Sequence, residues 1–198
     1  VVHAAPLSEG FSFYVAYGRT EVAVDVDAIH VEEATGEKLY SMSEACAAIR
    51  EKLGRKLVVV GACTGFDAHT VGIDAIMNMK GYNHHYGLER YSEVEAHNLG
   101  AQVPNEKLID YAVKVNADAI LVSQIVTQKD VHVGNLTELV ELLEAKGLRE
   151  RFVLCAGGTR ISNKLAVELG YDAGFGQGTY AEHVATFLID RIGNGVRS

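Results

Sequence analysis

From about Lys56 onward one pattern recurs along the chain: a short apolar run, a loop of small residues, then a longer amphipathic stretch. The apolar runs are Lys56–Ala62, Val94–Leu99, Ala119–Ser123, Arg151–Ala156 and Ala173–Gly176. The first and third are apolar along almost their whole length, as strands are when helices cover both faces. Helical candidates lie between the runs at Val71–Lys80, Asn105–Asn116, Asn135–Lys146 and Asn163–Leu169, and Ala181–Ile192 closes the series. Within Asn105–Asn116, the residues Leu108, Ile109, Ala112, Val113 and Val115 form an apolar stripe of helical period, and Pro104 precedes it as a start signal. Gly147 and Gly170 stand where C-terminal caps belong. Five strands alternating with five helices predict an α/β domain with a doubly wound, five-stranded parallel sheet, because parallel neighbours need crossover connections. Ligands of such sheets bind beyond the carboxyl ends of the strands, where strand order reverses. Function is therefore to be sought in the loops that follow the apolar runs.

Residues 1–54 break the pattern. Phe11–Tyr17 and Glu21–Asp27 flank Gly18-Arg19-Thr20 and predict a hairpin, with Ile29–Glu33 as a third strand. Ser41-Met42-Ser43-Glu44 has the form of a capping box that opens a helix through Leu53. This predicts a small α+β segment for assembly or dimerisation over residues 1–54, and a sheet domain over 55–198. The first piece is too short to hold a strong core alone, so it is expected to pack on the main domain or on another subunit.

Charge and composition narrow the function. Lys and Arg number 18 against 26 Asp and Glu, for a formal net charge of −8. That balance opposes a nucleic-acid partner, which calls for clustered positive charge. No apolar run approaches the roughly 18–20 residues of a membrane span. Val1-Val2-His3-Ala4-Ala5-Pro6 lacks the basic and then apolar regions of a secretory leader. Cys46, Cys63 and Cys155 are an odd, widely spaced set without a C-x-x-C motif, and two of them sit in or beside apolar runs. The chain is expected to be reduced, soluble and cytoplasmic.

The first apolar run leads into Gly61-Ala62-Cys63-Thr64-Gly65-Phe66-Asp67-Ala68-His69-Thr70-Val71-Gly72, which sets Asp67, His69 and Gly72 at the ligand-binding edge. An exposed imidazole can ligate a metal through one ring nitrogen while a carboxylate on the other fixes its tautomer. Asp and His two residues apart also suit an ordinary solvated turn. His97 and His132 lack the spacing of a separate metal site.

Asp67-x-His69-x-x-Gly72 after a strand resembles the D-x-H-x-x-G signature of the cobalamin-binding domain family. The resemblance implies a Rossmann-like cobalamin-binding fold, cobalt ligation by His69 with Asp67 behind it, and a slot beside the sheet for the cofactor's nucleotide tail. The other marks of that family fall in the expected loops. Ser123-Gln124-Ile125 stands in place of its S-x-L, and Gly157-Gly158 follows the fourth run. Phe175-Gly176-Gln177-Gly178-Thr179 is similar to its F-G-P-G-T, with Gln177 in place of proline. Asn98–Pro104 resembles the second strand-to-helix loop of these domains.

Lys80 lies eleven residues after His69, in Ile76-Met77-Asn78-Met79-Lys80-Gly81-Tyr82, with His84-His85-Tyr86-Gly87-Leu88-Glu89-Arg90-Tyr91 following. Read by itself, Lys80 suits a solvated helix C-terminus. The stretch resembles the small subunits of the lysine 5,6-aminomutase family and the corresponding domain of D-ornithine 4,5-aminomutase, and the likeness runs from about Phe11 to Ile192. It implies adenosylcobalamin bound through His69 and pyridoxal 5′-phosphate held as a Schiff base on Lys80. A primary amine is the side chain that condenses with an aldehyde. It further implies a radical 1,2-amino shift on an amino-acid substrate, and a large barrel-type alpha subunit as partner. A corrinoid methyl carrier or cobalamin sensor is the competing reading. Such modules usually carry a helical cap before the sheet domain, whereas residues 1–54 read largely as strands, and Lys80 has no task in them.

Overall fold

The computed structural model describes residues 3–8, 11–15, 39–126 and 130–193, and the chain divides into two units, Val1–Lys38 and Leu39–Ser198. In the first unit, β1 (His3–Ser8) pairs antiparallel with β2 (Phe11–Val15), in register from His3 opposite Val15 to Pro6 opposite Ser12, with a slip before Ser8. The strand expected at Phe11–Tyr17 is therefore paired with the segment before it. The expected strands Glu21–Asp27 and Ile29–Glu33 lie outside the described residues.

The second unit opens with α1 (Met42–Leu53). Ser41 caps it as the sequence predicts: the Ser41 hydroxyl accepts from Glu44 N–H and the Glu44 carboxylate accepts from Ser41 N–H. Its buried residues Ala45 and Ile49 join a core cluster with α6 (Ala181–Gly193), and Tyr40 N–H donates to Thr186 Oγ1 at 3.0 Å. The sequence groups this helix with residues 1–54. The structure sets it in the sheet-bearing unit, because its apolar stripe is covered by α6.

The remaining elements are β3 (Leu57–Cys63), α2 (Val71–Met77), β4 (Val94–Asn98), α3 (Asn105–Lys114), β5 (Ala119–Ser123), α4 (Val131–Ala145), β6 (Val153–Gly157), α5 (Asn163–Glu168) and β7 (Ala173–Phe175). The sheet has five parallel strands in the order β4-β3-β5-β6-β7. Alternation along the strands divides the core in two. Leu57, Val59, Ala119, Leu121, Val153 and Cys155 face α1, α2 and α6, while Val60, Ile120, Val122 and Leu154 face α3, α4 and α5. Strand order reverses between β3 and β5, so the loops after these two strands part toward opposite faces. That crevice is where a doubly wound sheet accepts ligands.

Several boundaries differ from those predicted by a residue or more, three of them for a local reason. α2 stops at Met77 because Asn78 turns extended, and Asn98 Nδ2 binds both Asp74 Oδ1 and Asn78 Oδ1 at 2.7 Å. α4 begins four residues before Asn135, whose amide is engaged elsewhere and does not cap it. β6 begins at Val153 because Arg149–Arg151 forms a 3-10 turn. Within the α3 stripe, Leu108, Ile109 and Ala112 are buried, whereas Val113, at its margin, is exposed.

Candidate cofactor site

The loop after β3 is built around one buried carboxylate. Asp67 Oδ2 accepts from the backbone N–H groups of Ile125 and Val126, at 2.5 and 3.0 Å, which joins the loop after β3 to the loop after β5 across the switch point. Asp67 Oδ1 accepts from His69 N–H at 2.9 Å and meets His69 Nδ1 at 2.9 Å. Burial alone would push the Asp67 carboxyl up. The bonds it accepts from Ile125, His69 and Val126 outweigh that and hold it below its ordinary value. An ionised carboxylate can only accept, so Nδ1 carries a proton toward Asp67, and in the neutral imidazole the lone pair lies on Nε2. The Asp67 side chain is 1% exposed and that of His69 is 59% exposed. A fixed imidazole therefore turns its Nε2 edge away from Asp67 at the sheet's ligand-binding edge.

The loop has further support that the sequence reading missed. Thr64 Oγ1 accepts from Gln124 Nε2 at 2.9 Å and from Asn135 Nδ2 at 2.6 Å, and Gln124 Nε2 also reaches Thr64 O at 2.8 Å. Asn105 Nδ2 in turn reaches Glu138 Oε2 at 2.8 Å. The buried Cys63 thiol donates to His69 O at 3.1 Å, and burial together with the nearby Asp67 charge pushes its pKa up to about 11. Cys63 thus packs the loop as a protonated thiol.

Beside this loop a largely apolar cleft of about 250 Å³ runs along the carboxyl ends of β5, β6 and β7. Gly72, Ser123, Gly157, Gly158, Gly176, Gly178 and Thr179 all line it, so the predicted glycine loops and Ser123 meet in one place. Small residues are required where the walls close. A Cβ on Gly72 would lie 2.8 Å from Ser123 Oγ. At Gly158, where φ is 151°, it would lie 2.0 Å from the Gln124 carbonyl oxygen. Ser123 Oγ is buried against the cleft, beside the Cys63 thiol, and accepts no close hydrogen bond among the described residues, which leaves it capacity for a ligand. These features suit the nucleotide tail of a cobalamin. Among the described residues no three His, Cys, Asp or Glu side chains gather as a metal site. A cobalt ion held by His69 would bring its other ligands with its own cofactor and would need no further protein side chain.

Lys80 does not line this cleft. It is exposed in the turn after α2, and Tyr82 of that turn does line the cleft. His84 is exposed, His85 is bound to α6, Glu89 Oε2 accepts from Met79 N–H at 2.8 Å and Arg90 lies 3.7 Å over the Tyr86 ring.

Fold and site together define a cobalamin-binding domain, and the B12 binding domain family matches residues 57–185. The fold is similar to that of a solved cobalamin-binding protein from Desulfitobacterium hafniense, with a TM-score of 0.53 and 20% identity over 75% of this chain and 69% of that one. Closer relatives are found by sequence. The lysine 5,6-aminomutase beta subunit of Acetoanaerobium sticklandii is 57% identical over 100% of this chain and 75% of its own length. That of Fusobacterium nucleatum is 60% identical over 97% of this chain and 73% of its own length. The chain belongs to the lysine 5,6-aminomutase beta-subunit family, within the B12-binding domains. Members of that family are subunits of an isomerase.

Proposed function

We propose that this chain is the adenosylcobalamin- and pyridoxal-phosphate-binding subunit of an aminomutase that carries out a 1,2-amino shift on lysine or β-lysine. The observation that carries the reading is the exposed His69 imidazole, held through Nδ1 by buried Asp67, in a loop that leads into Val71 and Gly72 of the apolar cleft. In this reading His69 holds cobalt, Asp67 orients His69, and Gly72, Ser123, Gly157, Gly158, Gly176, Gly178 and Thr179 accommodate the tail. Lys80 holds pyridoxal phosphate through its amine until the substrate's amine takes its place. Bound together, the cofactors supply radical initiation and stabilisation of the migrating amine, and the protein places them. The barrel-type alpha subunit supplies substrate contacts, and the N-terminal segment joins two copies of this chain. No helix among the described residues is long and apolar enough to cross a membrane, and the proposed setting is the cytoplasm.

The test is borohydride reduction of the assembled enzyme with pyridoxal phosphate, followed by peptide mapping. Label at Lys80 is expected. Label on another lysine, or none, would remove the pyridoxal assignment and favour a plain cobalamin module.

A further inference from the structure

The turn that carries Lys80 is a small, closed structure. Gly81 N–H donates to Asn78 O at 2.9 Å, and Tyr82 and His85 exchange two backbone bonds of 2.9 Å each. Asn83 and His84 between them have φ of 50° and 68°, the pattern of a two-residue type I′ turn. Added Cβ atoms on Gly81 and Gly87 would fall 1.8 Å from His85 O and 2.1 Å from Asn78 O, so the turn is packed flat on its own backbone. A single residue, Gly81, separates Lys80 from Tyr82, and Tyr82 lines the tail cleft.

This turn is fastened to the far side of the cleft. The His85 ring stacks on Tyr180 at 3.7 Å and 12°. Its Nδ1–H donates to Glu182 Oε1 at 3.1 Å. Asn83 Nδ2 also reaches Tyr180 Oη at 3.5 Å. Tyr180 directly follows Gly176–Thr179, which line the cleft with Gly72 and Ser123. Neither cobalt ligation by His69 nor the amine chemistry of Lys80 uses His85, Tyr180 or Glu182.

We infer that His85 and Tyr180 are positioning residues that couple the two cofactor sites of this chain. A tail in the cleft restrains Tyr82 on one wall and Gly176–Thr179 on the other, and the His85–Tyr180 staple makes the two walls move as one. Occupancy of the cleft therefore narrows the placements open to Lys80. Such coupling is reciprocal, so filling the Lys80 site tightens cobalamin binding by the same factor. The inference rests on the cofactor assignments proposed above.

The experiment uses the full chain assembled with its partner subunit. Pyridoxal phosphate affinity is measured by absorbance titration with and without hydroxocobalamin, and amide hydrogen exchange is followed in the peptide spanning residues 78–91. In the wild type, cobalamin is expected to tighten pyridoxal phosphate binding by about fivefold or more and to slow exchange in that peptide. His85→Ala and Tyr180→Ala are expected to abolish both effects while changing the affinity for either cofactor alone by less than about twofold. His85→Phe keeps the stack, so it keeps most of the coupling and serves if the alanine variants fail to assemble. Equal affinities with and without cobalamin in the wild type, or full coupling in His85→Ala, would overturn the inference. Trapping at a lysine other than Lys80 would instead defeat the pyridoxal assignment. In that case the exchange of residues 78–91, slowed by cobalamin in the wild type and not in His85→Ala, still decides whether the staple works.

Discussion

At the scale of single residues, Asp67 holds the site together, since it fixes the His69 tautomer and also bridges the loops after β3 and β5. Replacing it with asparagine keeps the shape but turns an amide toward two N–H donors or toward the imidazole. Asp67→Asn is expected to weaken cobalamin binding by about 10–100-fold, measured by spectral titration. His69→Ala is expected to remove the nitrogen splitting from the paramagnetic resonance spectrum of the bound Co(II) form. The same carboxylate sets a pH dependence. Its folded pKa lies below the ordinary 3.8, so its contribution to stability is complete above that value and is lost as pH falls through the lowered one. Denaturant midpoints between pH 5 and 2, roughly the window of that linkage, are expected to fall more steeply in the wild type than in Asp67→Asn. The cysteines give an independent check. Burial pushes the Cys63 thiol up to about 11 and raises that of Cys155 as well, while Cys46 is half-buried on α1. Near neutral pH a disulfide reagent should titrate Cys46 alone in the native protein, and all three thiols after denaturation.

At the scale of elements, what could be read in advance followed what leaves a periodic trace. The apolar run Ala119–Ser123 predicts a strand and is β5, residue for residue, because burial on both faces makes Ala119–Val122 continuously apolar. Asp67, His69 and Gly72 were legible as a spaced motif, and the glycine pairs as small residues after strands. The Thr64–Gln124–Asn135 network and the His85–Tyr180 stack were not legible, since contacts between loops far apart in sequence follow no period. Asn135 shows the cost of reading locally. An asparagine at the start of an apolar run reads as a helix start, yet its amide serves Thr64 and the helix begins a turn earlier. The adjacent glycines after β6 test how far the cleft depends on backbone. A Cβ on Gly157 would sit 3.3 Å from Phe175 O, whereas one on Gly158 would sit 2.0 Å from Gln124 O at a positive φ. Gly158→Ala is therefore expected to cost about 1–3 kcal/mol or more, and Gly157→Ala less than about 1 kcal/mol, by urea unfolding. Equal costs would mean that the loop shifts freely and that the cleft wall is softer than its packing implies.

At the scale of the whole molecule, the question is where the cobalamin domain begins. An amphipathic helix shows in its sequence that one face is covered, but not what covers it, so chain order alone groups α1 with the strands before it. In the structure Ala45 and Ile49 are fully buried in the cluster that contains Leu188 and Ile189 of α6, and Lys52 Nζ lies 2.8 Å from Asp190 Oδ1. The exposed ion pair adds little, so the apolar contact carries the association. Removing α1 would strip the cover from α6, which packs on the same sheet face as α2 and follows directly from the cleft-lining segment Gly176–Thr179. Loss of the whole helix should cost at least as much as Ile49→Ala, about 2–5 kcal/mol. A fragment beginning at Leu39 is therefore expected to unfold in one cooperative transition and to bind cobalamin. One beginning at Arg55 should be destabilised by that amount or more and should bind apolar dyes through the uncovered face of α6. Calorimetry and dye binding on the two fragments decide the matter. If the shorter fragment were as stable as the longer one, α1 would belong with the N-terminal segment, and the α6 contact would be incidental to the domain that holds the cofactor.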